Sequence, residues 1–430
     1  MEENNLFNFA IQCEDDTEIN QAFQGATLHD ELLHQLKAIL TEITVPLAIR
    51  SSSLLEDSKF QPFAGVYSTF MIPNNNRNLS IRMQNLVAAI KRIYASVYHK
   101  SSKQYMAATP YRLEEEKMAV IIQRLVGEEH NGKFYPDISG VAKSHNFYPA
   151  PPAQHQDGLA SIALGLGQLV VDGGDTIKFS PKFPEHSGQY SSVQNMVSHS
   201  QRDFYALDLN DNIDFLNSKI DPKLSKYQLK EAELDGTLYN IGSVYSPDNN
   251  VIYDGISRPG VRLVSFAPIL KLRSFPLAEI LSMIIESGGY GMAGPVEIEF
   301  AVNLSVPKGI EQEFAVLQMR PMALDRETEA VEISKLKEDE VICYTDSLLG
   351  VGSVDDIYDI ILVDINHHDR SRNSETAFEI EKINHLLSKE GRPYVLIGGG
   401  RWGSADPWLG IPVNWEQISG VRVIIETSFA

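Results

Sequence analysis

The sequence predicts an α/β protein, with α+β character, made of more than one domain. Three observations carry that reading. Short apolar runs alternate with longer stretches of helical period along the first part of the chain. Residues 341–430 read strand, helix, strand and strand again, the order of an α/β unit. Two runs, VEIEFAV (296–302) and FAVLQMRPM (314–322), alternate polar and apolar residues as the arms of a β-hairpin do. The 430 residues leave room for two or three domains of ordinary size, and 43% hydrophobic with 22% charged residues suits a globular protein.

Taken in order, Leu28, Leu32, Leu36, Ile39, Leu40 and Ile43 recur at helical spacing, so residues 27–43 form a helix with Thr27 as its N-cap. VPLAIR (45–50) is a strand, 51–65 a loop rich in Ser and acid, and VYSTFMI (66–72) a second strand. One long helix is expected from Leu79 to about Met106. MAVIIQRLV (118–126) reads as a buried strand, and 159–174 as a small-residue helix or turn. Residues 185–260 are polar and irregular, with a charged helix near 222–234, and look like an insertion. VRLVSF (261–266) is a strand, and 276–291 a helix that stops at a Gly pair. After the hairpin, 327–340 resembles a linker. Strands at 358–365, 392–398 and 421–426 then surround a helix at 374–391. The expected division is 1–110, 111–326 and 341–430.

A net charge of −20 disfavours nucleic acid and anionic membranes, so an anionic substrate needs local basic residues. No apolar run is long enough to span a membrane. Cys13 and Cys343 stand far apart, and no C-x-x-C pattern occurs, which suits a reducing compartment. The acidic start MEENN lacks a signal-peptide pattern. A cytoplasmic location is expected, where the sequons at Asn78 and Asn303 carry no meaning. The oligomeric state is not legible.

The hairpin is the most informative segment. Glu297 and Glu299 share one face of the first strand, and Gln318 and Arg320 one face of the second. Carboxylates at this spacing can hold magnesium, and an arginine can grip phosphate. A half-exposed hairpin with ordinary charges on its wet face is the competing reading. Arg50, at a strand end before Ser51, Ser52 and Ser53, is a candidate phosphate grip or a plain surface arginine. Gln123, at the end of AVII, is placed to read the edge of a purine. GGGRWG (398–403) matches G-x-G-x-x-G, but Pro407 and Pro412 prevent the helix a dinucleotide site needs. GLGQ (165–168) lacks the third glycine. Trp402, Trp408 and Trp415 form either a packed cluster or, with Arg401, a ligand platform. His367, His368 and Asp369 read as a solvated loop.

PLAIRSSSLLEDSKFQPFAGVYSTFMIPN (46–74) resembles the nucleotide-binding domain of the phosphoenolpyruvate synthase and pyruvate phosphate dikinase family. In the same order, MAVIIQRLVG resembles its adenine-side strand, SGVAKSHNFYP (139–149) its Ser-Gly-Val segment, and GLGQLVVDGG its Gly-Leu-Gly-Glu turn. The E-I-E and L-Q-M-R-P runs resemble its metal and phosphate hairpin. Five ordered motifs across roughly 45–325 make the resemblance specific. It implies an ATP-grasp fold, two lobes with ATP between them, plus a small C-terminal α/β unit. It further implies Mg2+ and phosphate at Glu299 and Gln318, ribose or metal at Glu297, phosphates at Arg50 and Arg320, and adenine near Gln123. Phosphoryl transfer then rests on positioning and electrostatics.

The family's Gly-Gly-Lys loop does not precede Arg50, and neither its phosphohistidine motif nor its barrel is found. Residues 341–430 resemble a tail of divergent members, through LIGGGRWGSADPWLGIPV, and LLGVGSV (348–354) faintly resembles the start of a swivelling domain. The expectation is a fragment missing its N-terminal part, with pyruvate or another phosphoryl acceptor engaged through other domains. A non-catalytic regulatory module, or a dikinase acting on a sugar, glucan or antibiotic, are the alternatives.

Overall fold

The computed structural model describes residues 4–53, 67–107, 112, 116–146, 149, 151–186, 192–210, 224–322, 341–343, 345, 354–364, 369, 372–403 and 410–427. The chain divides into two compact units, Met1–Leu324 and Asp325–Ala430. Among the described residues no helix is long and apolar enough to cross a membrane.

The first unit opens with a small antiparallel sheet of β1 (Leu47–Ser53), β2 (Thr69–Ile72) and β3 (Met118–Arg124), in the order β2-β1-β3. Its third strand thus comes from beyond residue 110, the expected end of the first lobe. Leu47 and Ile49 bury one face of β1 against Leu36 and Leu40 of the helix Asp30–Glu42 and Leu86, Ile90 and Ile93 of the helix Leu79–Ser96. The first helix starts at Asp30, not at Thr27, because the Thr27 amide and hydroxyl are both engaged by the Asn4 side chain. Buried Arg82 donates Nη1 to the carbonyls of Leu40 (2.8 Å) and Ile43 (3.2 Å), serving the open C-terminal end of that helix.

The single long helix expected over 79–106 is two, Leu79–Ser96 and Lys100–Ala107. The break is a competition for hydrogen bonds. The Lys100 amide donates to the Asp16 carboxylate (2.8 Å), and the Ser96 carbonyl accepts from the Ser102 hydroxyl (2.7 Å). Side chains have taken over the groups that a continuous helix would pair with each other. Strand β3 is half-exposed, not buried, with Ile121 47% exposed, because it is an edge strand with one open face.

Twelve further strands follow in this unit: β4 (Glu128–His130), β5 (Lys133–Tyr135), β6 (Ile138–Lys143), β7 (Leu159–Ala163), β8 (Ile177–Phe179), β9 (Asp203–Asp208), β10 (Ser225–Gln228), β11 (Gly242–Ser246), β12 (Val251–Asp254), β13 (Val261–Val264), β14 (Val296–Asn303) and β15 (Glu313–Pro321). They build a five-stranded antiparallel sheet, β15-β14-β6-β7-β8, a four-stranded sheet, β10-β9-β5-β4, and a three-stranded sheet, β12-β11-β13. All three share one core, in which Tyr135, Phe179, Phe204, Phe266 and Phe300 are nearly or wholly inaccessible.

Two expectations change here. Leu159–Ala163 is a strand of the main sheet and not the helix or turn expected, since Ala and Ser suit any backbone and pairing with neighbouring strands decides. The described parts of 185–260 are regular: β9 pairs with β5, and the charged helix, Leu229–Asp235, starts after β10. The helix Leu277–Gly291 forms as expected. Gly288 lets it approach β15, since a Cβ there would lie 2.8 Å from the Met319 sulfur and terminal methyl. At Gly140 a Cβ would lie 2.4 Å from the Phe300 ring, so that glycine makes room for the ring beneath β14.

The second unit is a parallel sheet of β16 (Asp359–Leu362), β17 (Tyr394–Gly399) and β20 (Val421–Thr427), with a short pair, β18 (Arg401–Trp402) and β19 (Gly410–Ile411). The helix Asn373–Lys389 packs Ala377 and Ile380 on Ile361, Tyr394 and Leu396. Asn384 ties it down, accepting from the Tyr394 hydroxyl and the Gly420 amide at 2.9 Å each. In GGGRWG, Arg401 and Trp402 are extended, and the Trp402 ring packs over Gly398. Trp415 is 69% exposed. Trp408, His367 and His368, the linker 327–340 and residues 54–65 lie outside the described residues.

Phe300 is the core prop beneath the carboxylate strand, stacked on Phe314 at 5.4 Å. Phe300→Ala should cost about 3–5 kcal/mol in the urea-induced unfolding of the first unit.

Candidate functional site

The five-stranded sheet sets the site by register. β14 lies between β15 and β6, so Glu297 faces Arg320 on one side and Lys143 on the other, while Glu299 faces Gln318 and Val141. The apolar residues of β14, Val296, Ile298 and Phe300, are buried, which turns both glutamates to the half-exposed face. Cross-strand neighbours on one face stand close enough for their side chains to pair.

The ends of β14 are tied down. The Ser144 amide donates to the Val296 carbonyl (2.9 Å), and the Val296 amide donates to the Ser144 hydroxyl (2.8 Å). At the other end wholly buried Asp137 accepts the amides of Leu304 (2.7 Å) and Ser305 (2.8 Å) and the Ser305 hydroxyl (2.6 Å). Between them the β14–β15 ladder shifts register after Glu299: Glu299 faces Gln318 but Phe300 faces Val316, which leaves Leu317 as the extra residue of a bulge.

Two ionic clusters form on this surface. Arg50 reaches over from β1, and its Nη2 donates to Glu299 Oε2 (2.6 Å) and to Gln318 Oε1 (2.7 Å). Beside it, Arg320 donates Nε (2.9 Å) and Nη2 to Glu297 Oε1, and Lys143 Nζ stands 2.8 Å from Glu297 Oε2. Burial pushes the Glu297 carboxyl up, but the hydrogen bonds and charges of Lys143 and Arg320 outweigh it and hold the group below its ordinary value of 4.5. Gln123 Nε2 makes a long bond to the Leu317 carbonyl, 3.4 Å, at the bulge. Arg124 pairs with Glu313 further along β15.

Arg50, Glu297, Glu299, Gln318 and Arg320 therefore meet on one surface, with Gln123 at its edge. Arg50 is in the middle of β1, not at its end. Ser51, Ser52 and Ser53 continue the strand opposite Val120, Ala119 and Met118. Sequence reasoning missed Lys143. Alternation along β6 puts it on the face of Val141, but nothing local reveals that this strand lies beside β14. Among the described residues of these two clusters, three cations, Arg50, Lys143 and Arg320, stand against two carboxylates and leave one net positive charge, in a chain of net −20.

Glu299 and Gln318 present two oxygens to one point, and a positively charged nitrogen sits there. That donor set fits a hard divalent cation. Among the described residues, no group of three or more His, Cys, Asp or Glu side chains could hold a metal ion. A cation here would complete its shell with phosphate and water oxygens, as magnesium does at nucleotide sites.

The chain belongs to the family described as pyruvate phosphate dikinase, AMP/ATP-binding domain, which matches residues 8–340 and so includes every residue of this surface. It is similar to the uncharacterized phosphotransferase YvkC of Bacillus subtilis, 30% identical over 157 residues, which is 35% of this chain and 16% of that protein. It is also similar to the phosphoenolpyruvate synthase of Aeropyrum pernix, 22% identical over 300 residues, 69% of this chain and 31% of that one. The chain thus spans less than a third of the length of either relative.

The depressed Glu297 value sets a pH dependence. A carboxylate that binds its proton less tightly when folded contributes stability above 4.5, and that contribution is lost as pH falls through the lowered folded value. In ligand-free chain, Glu297→Gln should flatten the acid side of the stability profile below about pH 4.5, followed by thermal melting across pH.

Proposed function

We propose that this chain is the nucleotide-binding part of a phosphotransferase of the phosphoenolpyruvate synthase and pyruvate phosphate dikinase kind, and that it binds Mg-ATP on the exposed face of β14 and β15. The fold is read as ATP-grasp-like, with the β1 sheet and the β14 sheet as the two walls. The observation that carries the proposal is the convergence of Arg50, Glu299 and Gln318 on one point. In this reading Glu299 and Gln318 hold magnesium, which when bound neutralises charge on the phosphates. Arg50 and Arg320 grip phosphate oxygens, since a guanidinium offers several donors in a planar fork. Glu297 keeps Arg320 in place, and Gln123 stands toward the base.

Arg50 lies on the oxygens assigned to the metal. With magnesium and ATP bound, Arg50 would exchange its bonds to Glu299 and Gln318 for bonds to phosphate oxygens, which would keep its donors paired. The local positive charge offsets the field of the acidic chain at the one place where a polyanion must dock. In the whole protein the phosphoryl group passes to a histidine or another acceptor, pyruvate among them, carried on parts beyond this chain. The protein acts in the cytoplasm.

Calorimetric titration tests the reading. ATP should bind only with magnesium present. Glu299→Gln and Arg320→Ala should each weaken Mg-ATP about tenfold or more, the loss of one bond to a charged group. Equal ATP affinity with and without magnesium, and in both variants, would overturn it.

A further inference from the structure

We propose that Lys143 is a third phosphate-binding cation of this site, anchored for that task by Glu297; the inference rests on the nucleotide reading above. Lys143 is the last residue of β6, the central strand of the five-stranded sheet, flanked by β14 and β7. A long, flexible, charged side chain is disfavoured in a central strand unless its face needs it. This face is the one that carries Glu297 and Glu299.

The backbone beneath Lys143 is held on both sides. It faces Glu297 on β14 and Leu159 on β7, and Ser144 clasps Val296 immediately beyond it. Gly158 packs so tightly there that a Cβ would lie 2.7 Å from the Lys143 carbonyl oxygen. The side chain is 41% exposed, against 12% for Glu297, so the lysine is open to solvent while the carboxylate that holds it is mostly covered. An ammonium has three donors, and Glu297 Oε2 occupies one of them, 2.8 Å away.

Glu297 divides its two oxygens between two cations, Oε1 for Arg320 and Oε2 for Lys143. A carboxylate so divided is an anchor that sets the separation of a guanidinium and an ammonium. Arg320 supplies a planar fork, and Lys143 a compact point charge that follows an oxygen anion as it moves. With Arg50 reaching Glu299 from β1, three cations lie on one face. Two guanidiniums and an ammonium on one face suit a chain of phosphates, whose oxygens outnumber those of a monophosphate.

The test titrates the parent chain, Lys143→Met and Lys143→Arg with Mg-ATP, AMP and inorganic triphosphate, with thermal melting to verify folding. Lys143→Met should weaken ATP and inorganic triphosphate about 10- to 100-fold and AMP much less, and Lys143→Arg should recover most of the loss. Unchanged ATP affinity in Lys143→Met, with Glu299→Gln and Arg320→Ala still defective, would overturn the role of Lys143 and leave the nucleotide reading intact. An equal loss for ATP and AMP would make Lys143 a structural support only and would also overturn it. If the folded parent binds neither ATP nor triphosphate, the nucleotide reading fails and this inference with it.

Discussion

The register of β14 between β15 and β6 is the constraint on which the rest of the site depends. A shift of one residue on either side would turn the glutamates into the core and bring Ile298 to the surface. The structure guards against that slip at both ends of the strand. Ser144 clasps Val296, and the wholly buried Asp137 collects two amides and a hydroxyl beyond Asn303. The Phe300 ring, admitted by Gly140, holds the apolar face down. Between these ties lies the bulge at Leu317, where the ladder relaxes next to Glu299 and Gln318.

Electrostatics follow from that geometry. Each glutamate of β14 is matched to cations from other strands, Glu299 to Arg50, and Glu297 to Arg320 and Lys143. The carboxylates thereby draw arginine and lysine side chains onto one surface of an acidic protein. They also keep those cations hydrogen-bonded, which a row of unpaired like charges could not be. At Glu297 these pairings outweigh the cost of burial and hold the carboxyl below its ordinary value.

Much of the fold was legible where one period dominates. The helices Leu277–Gly291 and Asn373–Lys389 and the hairpin of β14 and β15 stand where their apolar spacing put them. Misreadings fell where the local signal is degenerate. Leu159–Ala163 is small-residued enough to suit helix, turn or strand, and became a strand through pairing on both sides. The long helix broke at Ser96 through bonds to Asp16 and Ser102, the first of them distant in sequence. Strand β3 looked buried because its residues are apolar, yet its place at a sheet edge left Ile121 in solvent.

By itself the sequence determined which residues share a face. A strand alternates with period two and a helix with 3.6, and both are local properties of an L-polypeptide. Glu297 with Glu299, and Gln318 with Arg320, could therefore be paired without a structure. Which faces meet was decided only by the tertiary fold, because strand neighbours are chosen by burial and hydrogen bonding among segments far apart in the chain. That choice brought Arg50 of β1 onto Glu299, and Lys143 of β6 onto Glu297. It made two separate polar strands into one surface, and it supplied the cation that no local pattern announced.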